Sequence, residues 1–103
     1  MSEELELDCF NIITHVGTAR SNYIGAIALA KEGKFDEAEA MMAAGEKEFV
    51  EGHHVHADML AKEANGEMDS IGVLIIHAED QLMSAEAFKI IAEEFIDVYK
   101  KIG

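Results

Sequence analysis

Apolar residues recur three and four positions apart along almost the whole of this chain, and no proline interrupts them. A hydrophobic period near 3.6 is satisfied by amphipathic helices and by nothing else in the small menu of regular structure. Alanine, glutamate, methionine and isoleucine, all frequent here, reinforce that choice, and the missing proline removes the strongest helix breaker. The pattern pauses twice. The first pause is Lys31-Glu32-Gly33-Lys34, with Gly33 where a helix would end; the second is Asn65-Gly66-Glu67-Met68-Asp69. Asn65-Gly66 marks a stop, and Asp69 or Ser70 can cap the next helix. The spacing predicts three helices over about residues 3–31, 35–65 and 70–102, each roughly 45 Å long. The fold class is all-α, an antiparallel three-helix subunit in a single domain spanning residues 1–103.

Each segment carries an apolar stripe at helical spacing. In the first it runs Leu5, Cys9, Ile12, Val16, Ala19, Tyr23, Ile27 and Ala30. The second has Phe35, Ala38, Met42, Gly45, Phe49, Gly52, His56, Met59 and Leu60. The third has Ile71, Leu74, Ala78, Leu82, Ala85, Phe88, Ala92, Phe95, Tyr99 and Ile102. Methionine and phenylalanine at these intervals are core residues, not a cofactor box. The third segment has a further stripe of Val73, Ile76, Asp80, Met83, Ala87 and Ile91, and the first carries Phe10, Ile13, Ile24 and Leu29 off its main line. Three helices in one layer cannot bury two faces each, so the surplus face predicts an oligomer. Gly17, Gly25, Gly45 and Gly52 lie inside helical segments, where each costs about 1 kcal/mol against alanine; close helix contact is the expected compensation.

The net charge of −13 argues against nucleic acid and anionic membrane as partners and favours a basic protein. No apolar run is long enough to span a bilayer, and the acidic opening Met1-Ser2-Glu3-Glu4 is unlike a signal segment. A single cysteine, Cys9 in an apolar setting, suits a structural thiol in a reducing cytoplasm.

Two clusters could carry chemistry: Ile75-Ile76-His77-Ala78-Glu79-Asp80-Gln81-Leu82-Met83 and Glu51-Gly52-His53-His54-Val55-His56. Asp80 sits on an apolar stripe, where a lone carboxylate is costly unless an ion or a partner accompanies it. If that stripe forms an oligomer axis, several copies of Asp80 meet there and would suit a hard divalent ion such as magnesium. An exposed aspartate on a partly wet face is the plainer alternative. By spacing alone, His77 reads as a satisfied core histidine, although imidazole is also a competent phosphoryl carrier. His53 and His56, three apart and read as inward-facing, could take a transition metal with Glu63 or Asp58. No zinc-protease pattern, P-loop or nucleophilic serine elbow occurs, and one Glu51-x-x-His54 pair falls short of a di-iron set.

Taken in order, the landmarks resemble the lactose/cellobiose (and chitobiose) type enzyme IIA of the bacterial sugar phosphotransferase system. Gly17-Thr18-Ala19-Arg20-Ser21 is similar to its G-x-A-R-S motif, and Gly33-Lys34-Phe35-Asp36-Glu37-Ala38 to its G-D-F-x-x-A turn. Glu51-Gly52-His53 resembles E-A-H, and Met59-Leu60 with Glu63-Ala64-Asn65-Gly66-Glu67 the end of the second helix. His77-Ala78-Glu79-Asp80-Gln81-Leu82-Met83 resembles the signature H-A-Q-D-H-L-M. The resemblance covers nearly the full length. It implies a parallel homotrimer in the cytoplasm. It also implies a phosphoryl group received on His77 from phosphorylated HPr and passed to a cysteine of a IIB subunit, and so to a β-linked disaccharide entering through IIC. Asp80 would then face the threefold axis and hold a divalent metal, usually magnesium.

Glu79 and Gln81 depart from the signature's Gln and second His, and His56 stands where the family often has Gln. A carboxylate at position 79 is expected to repel a phosphoryl group unless it is protonated or paired, for example with Arg20 or a lysine. Gln81, one turn past His77, can take over as a hydrogen-bond donor, and His56 either adds a donor facing the acceptor or belongs to the core. Three other readings stay open. Ala28 to Ala40 resembles a tetratricopeptide turn, hence a non-catalytic helical adaptor, although no second copy appears later in the chain. A metal-storing bundle would use His53, His54 and His56. A family member retained only as a regulator is kept in play by Glu79.

Overall fold

The structure is a computed structural model, and it describes residues 2–68 and 71–103. Three α-helices make up the described chain: α1 (Glu3–Lys31), α2 (Phe35–Ala64) and α3 (Val73–Ile102). They lie side by side in an up-down-up arrangement measuring 53 × 19 × 16 Å. Ion pairs from Lys62 to Glu4, His15 to Glu48 and Lys100 to Glu39 fix the alternating directions. No strand occurs among the described residues.

Local chemistry sets the helix ends. Ser2 caps α1, its hydroxyl accepting from Leu5 N–H at 3.1 Å, with Glu3, Glu4 and Glu6 placed favourably in the first turn. At the far end Gly33 adopts φ 78°, so its own N–H reaches Ala30 O at 3.0 Å and the Lys34 N–H reaches Leu29 O at 3.0 Å. Gly66, at φ 73°, closes α2 in the same way through Glu63 and Lys62. Both breaks are therefore left-handed glycine caps that satisfy otherwise orphaned carbonyls. The boundaries need two corrections. Helix α2 ends at Ala64, one residue before its expected end. Helix α3 begins at Val73 and not at residue 70, with Gly72 at its N-cap and no side-chain capping bond. Asp69 and Ser70, the expected caps, lie outside the described residues. Ile71 precedes the helix and is exposed.

The core follows the α1 stripe closely, with Leu5, Cys9, Ile12, Val16, Ala19, Tyr23, Ala26 and Ala30 buried. Cys9 is fully buried and burial raises its thiol pKa, which keeps it a neutral packing group. From α2 come Ala38, Gly45, Phe49, Gly52 and Met59; from α3, Ile75, Ala78, Leu82, Ala85, Ala92 and Ile96. Several stripe assignments shift. Ile96, not Phe95, turns inward, Leu60 and Ile102 are exposed, and Ile13 and Leu29 pack against the core. A helix drifts against a strict three-four alternation, so a stripe read over thirty residues loses its phase near its ends.

The glycine expectation holds at two positions. A Cβ on Gly45 would lie 2.6 Å from Tyr23 Cε1, and one on Gly52 would lie 2.6 Å from Val16 Cγ1. These residues let α2 press against α1. Gly25 is in ordinary contact range of Met41, whereas among the described residues nothing beyond its own helical neighbours lies within 4 Å of a Cβ on Gly17. Tyr23 fills the space over Gly45, and burial together with the neighbouring Glu46 carboxylate pushes its hydroxyl pKa well above the ordinary range.

Candidate functional site

The outer face of α3 stays uncovered. Val73, Ile76, Met83, Ile91, Phe95, Val98 and Ile102 are all exposed, so the surplus stripe read from the sequence is present and runs to the end of the helix. Its continuation through Phe95, Val98 and Ile102 is missed by a reading that gives Phe95 and Ile102 to the buried stripe. The spacing 91, 95, 98, 102 carries the signal. Leu7, Phe10 and Ile24 add exposed apolar surface on α1.

His77 lies four residues into α3 and is exposed, which overturns its reading as a core histidine. Side chains three and four apart on a helix are neighbours, whereas those two apart point to opposite sides. Asp80 and Gln81 therefore share the His77 face, and Glu79 turns away from it. Asp80 is exposed between Ile76 and Met83, and Gln81 is half-buried. The buried, ion-linked reading of Asp80 is not met within one chain, where the carboxylate is open to solvent.

Glu79 has a partner, but not the expected one. Its Oε1 accepts from His56 Nε2 at 2.8 Å, joining α3 to α2. Arg20 instead donates from Nη1 to the Ser84 hydroxyl at 3.2 Å, and no lysine among the described residues reaches Glu79. The His56 side chain is largely buried at 14 % exposure, while Glu79 is half exposed. Glu79 is thus paired, the condition under which its charge is not expected to repel a phosphoryl group, although the partner is His56 and not Arg20 or a lysine; helix geometry also sends the Glu79 and His77 side chains of one chain apart.

His53 is also corrected. It does not face inward but is exposed, its ring centroid 6.2 Å from that of Phe49. His54 is exposed too. No group of three His, Cys, Asp or Glu side chains able to hold a metal converges among the described residues, so His53, His56 and Asp58 or Glu63 do not assemble a transition-metal site. Asp80 supplies one hard oxygen donor per chain, which suits a divalent ion only if further copies bring theirs. His15, not singled out in the sequence, pairs with Glu48 through Nδ1 at 2.8 Å. Only the three-dimensional meeting of α1 and α2 reveals that contact.

Residues 8–100 match the family described as PTS system, lactose/cellobiose specific IIA subunit. The chain belongs to this family of phosphotransferase-system components. Among its IIA relatives is the oligo-beta-mannoside-specific EIIA component of Bacillus subtilis, 41% identical over 91 residues, covering 88% of this chain and 83% of that one. The lactose-specific EIIA component of Streptococcus mutans is 34% identical over 99 residues, 96% of this chain and 95% of its own. The crystal structure of the cellobiose-specific enzyme IIA of Bacillus anthracis superposes with a TM-score of 0.94 at 41% identity, covering 99% of this chain and 94% of that one. This IIA chain is accordingly a component of sugar phosphotransfer. No helix among its described residues is long and apolar enough to cross a membrane. The long-helix architecture and the family match over residues 8–100 remove the tetratricopeptide-like adaptor from contention.

Proposed function

We propose that the chain is a cytoplasmic phosphocarrier that accepts a phosphoryl group on His77 from phosphorylated HPr and passes it to a cysteine of a IIB subunit. The supporting observation is His77 itself, an exposed imidazole on the signature segment of a IIA chain. In the first transfer an unprotonated ring nitrogen of His77 attacks phosphorus. The new N–P bond forms as the N–P bond to the HPr histidine breaks, and that imidazole leaves. In the second, the cysteine thiolate of IIB forms an S–P bond as the His77 N–P bond breaks. Little covalent work falls to the protein; position and charge decide the rate. Gln81, one turn along on the same face, can donate an amide N–H to a phosphoryl oxygen. His53 and His56 are not needed for either bond change.

The sugar is a β-linked disaccharide such as lactose, cellobiose or chitobiose, which enters through IIC and never meets this chain. Incubation with phosphoenolpyruvate, enzyme I and HPr should place an acid-labile, base-stable phosphate on the protein. Subsequent addition of the cognate IIB should discharge it. A chain that stays unlabelled under conditions that fully phosphorylate HPr would overturn the reading and favour a purely regulatory role.

The active form in this proposal is a parallel homotrimer closed by the outer face of α3. Exposed Ile76, Met83 and Ile91 need a cover, and Asp80 between them would come to the threefold axis. Three carboxylates there would hold a divalent ion, magnesium by preference for oxygen donors. Replacing the aspartates by leucine removes three like charges from an apolar contact. Asp80→Leu should therefore keep the trimer and raise its melting temperature by several degrees. Sedimentation and calorimetry check this. Dissociation to monomers would mean that the carboxylate–metal cluster holds the assembly together.

A further inference from the structure

His56 on α2 and Glu79 on α3 meet in this structure at 2.8 Å. They are 23 residues apart in sequence. On its own chain Glu79 points away from His77. Its position relative to a second copy is different. Successive residues turn about 100° around a helix, so His77 lies about 60° to one side of Asp80 and Glu79 about 100° to the other. When three parallel copies present Asp80 to a common axis, the His77 flank of each α3 faces the Glu79 flank of the next, at nearly the same height.

We propose that Glu79 of one copy lines the cleft that holds His77 of its neighbour, and that His56 is a positioning residue that keeps this carboxylate turned toward α2 and out of the cleft. The inference rests on the trimeric carrier reading. A phosphohistidine brings a charge of about −2 into the cleft, and a free carboxylate swinging in would oppose it. The side chain of Glu79 is half exposed, and the His56 Nε2–H is the contact that restrains it. His56, largely buried, is the better anchored partner.

The test compares the rate of phosphoryl uptake from phosphorylated HPr in H56L, E79Q and the double variant, with melting temperature recorded alongside. Leucine at position 56 offers no donor to Glu79, so H56L should lower kcat/KM about fivefold at low salt, with the deficit shrinking as salt screens the repulsion. E79Q, whose amide oxygen can still accept from His56 but carries no charge, should gain up to about twofold. H56L/E79Q should return to the parent rate. A pair that only clasps helices would leave the double variant as slow as H56L, and that result would overturn the proposal. So would an H56L protein, or an H56A protein should H56L fold poorly, that transfers like the parent. Co-assembly of H56L chains with H77Q chains, which keep His56 and Glu79 intact, should restore part of the lost rate. Without that restoration the effect lies within one chain, and the cross-copy placement fails. A parent protein that takes up no phosphate sinks the carrier reading itself, which separates the two failures.

Discussion

His77→Gln should reduce phosphoryl uptake at least about a thousandfold while leaving the fold intact. A covalent carrier has no substitute for the atom that forms the bond, and an amide nitrogen is not a nucleophile at neutral pH. The imidazole is exposed on α3, and the histidine side chains that are hydrogen-bonded to carboxylates are His15 and His56, so its loss should change stability by no more than about 0.5 kcal/mol. Scanning the histidines separately makes the measurement decisive. His15 and His56 are tied to Glu48 and Glu79, whereas His53 and His54 stand exposed on α2. Full labelling of the His77→Gln protein, with loss of label in a His53 or His54 variant, would move the acceptor to α2 and refute the assignment.

The second large effect is structural. Gly45→Leu should cost about 3 kcal/mol, lowering the melting temperature by roughly 12–24 °C, because the added side chain must displace the Tyr23 ring. Tyr23 is fully buried and among the largest such side chains in the core. Even Gly45→Ala and Gly52→Ala should destabilise, although alanine gains about 1 kcal/mol of helix propensity at each site. Contacts of 2.6 Å with Tyr23 and with the stiff Val16 outweigh that gain. Gly17→Ala offers the internal contrast, since among the described residues nothing beyond its own helical neighbours approaches within 4 Å of a Cβ there, and the propensity gain should survive. Urea midpoints for the set decide the matter. If Gly45→Leu unfolds like the parent, α1 and α2 do not press together at this glycine.

Periodicity alone carries the fold, because each of the first two helices buries one stripe and ends on a glycine whose positive φ no other residue adopts cheaply. The register of that stripe is less secure. Phe95 and Ile96 are both apolar, and only packing against α1 and α2 decides which turns inward. The start of α3 is misplaced by pattern because Asp69 and Ser70 look like caps, whereas the helix opens at Val73 without one. At the site, the signature residues are legible as letters but not as directions. The letters set Glu79 two places from His77 and ask for a partner without naming it; the helical turn separates the two side chains and gives Glu79 to His56. Long-range pairs such as His56–Glu79 and His15–Glu48 have no sequence signal in a single chain.

The 53 Å rod carries the proposed acceptor, His77, within about two turns of one tip of α3. In the proposed relay this has a topological consequence. Giver and receiver must land on the same small stretch of surface, so they exclude one another at any single imidazole. No ternary bridge can form there; the loaded intermediate has to let go of one client before meeting the next. Throughput then depends on how fast each encounter dissolves, and a mutation that merely tightens either contact would slow the whole chain of transfers.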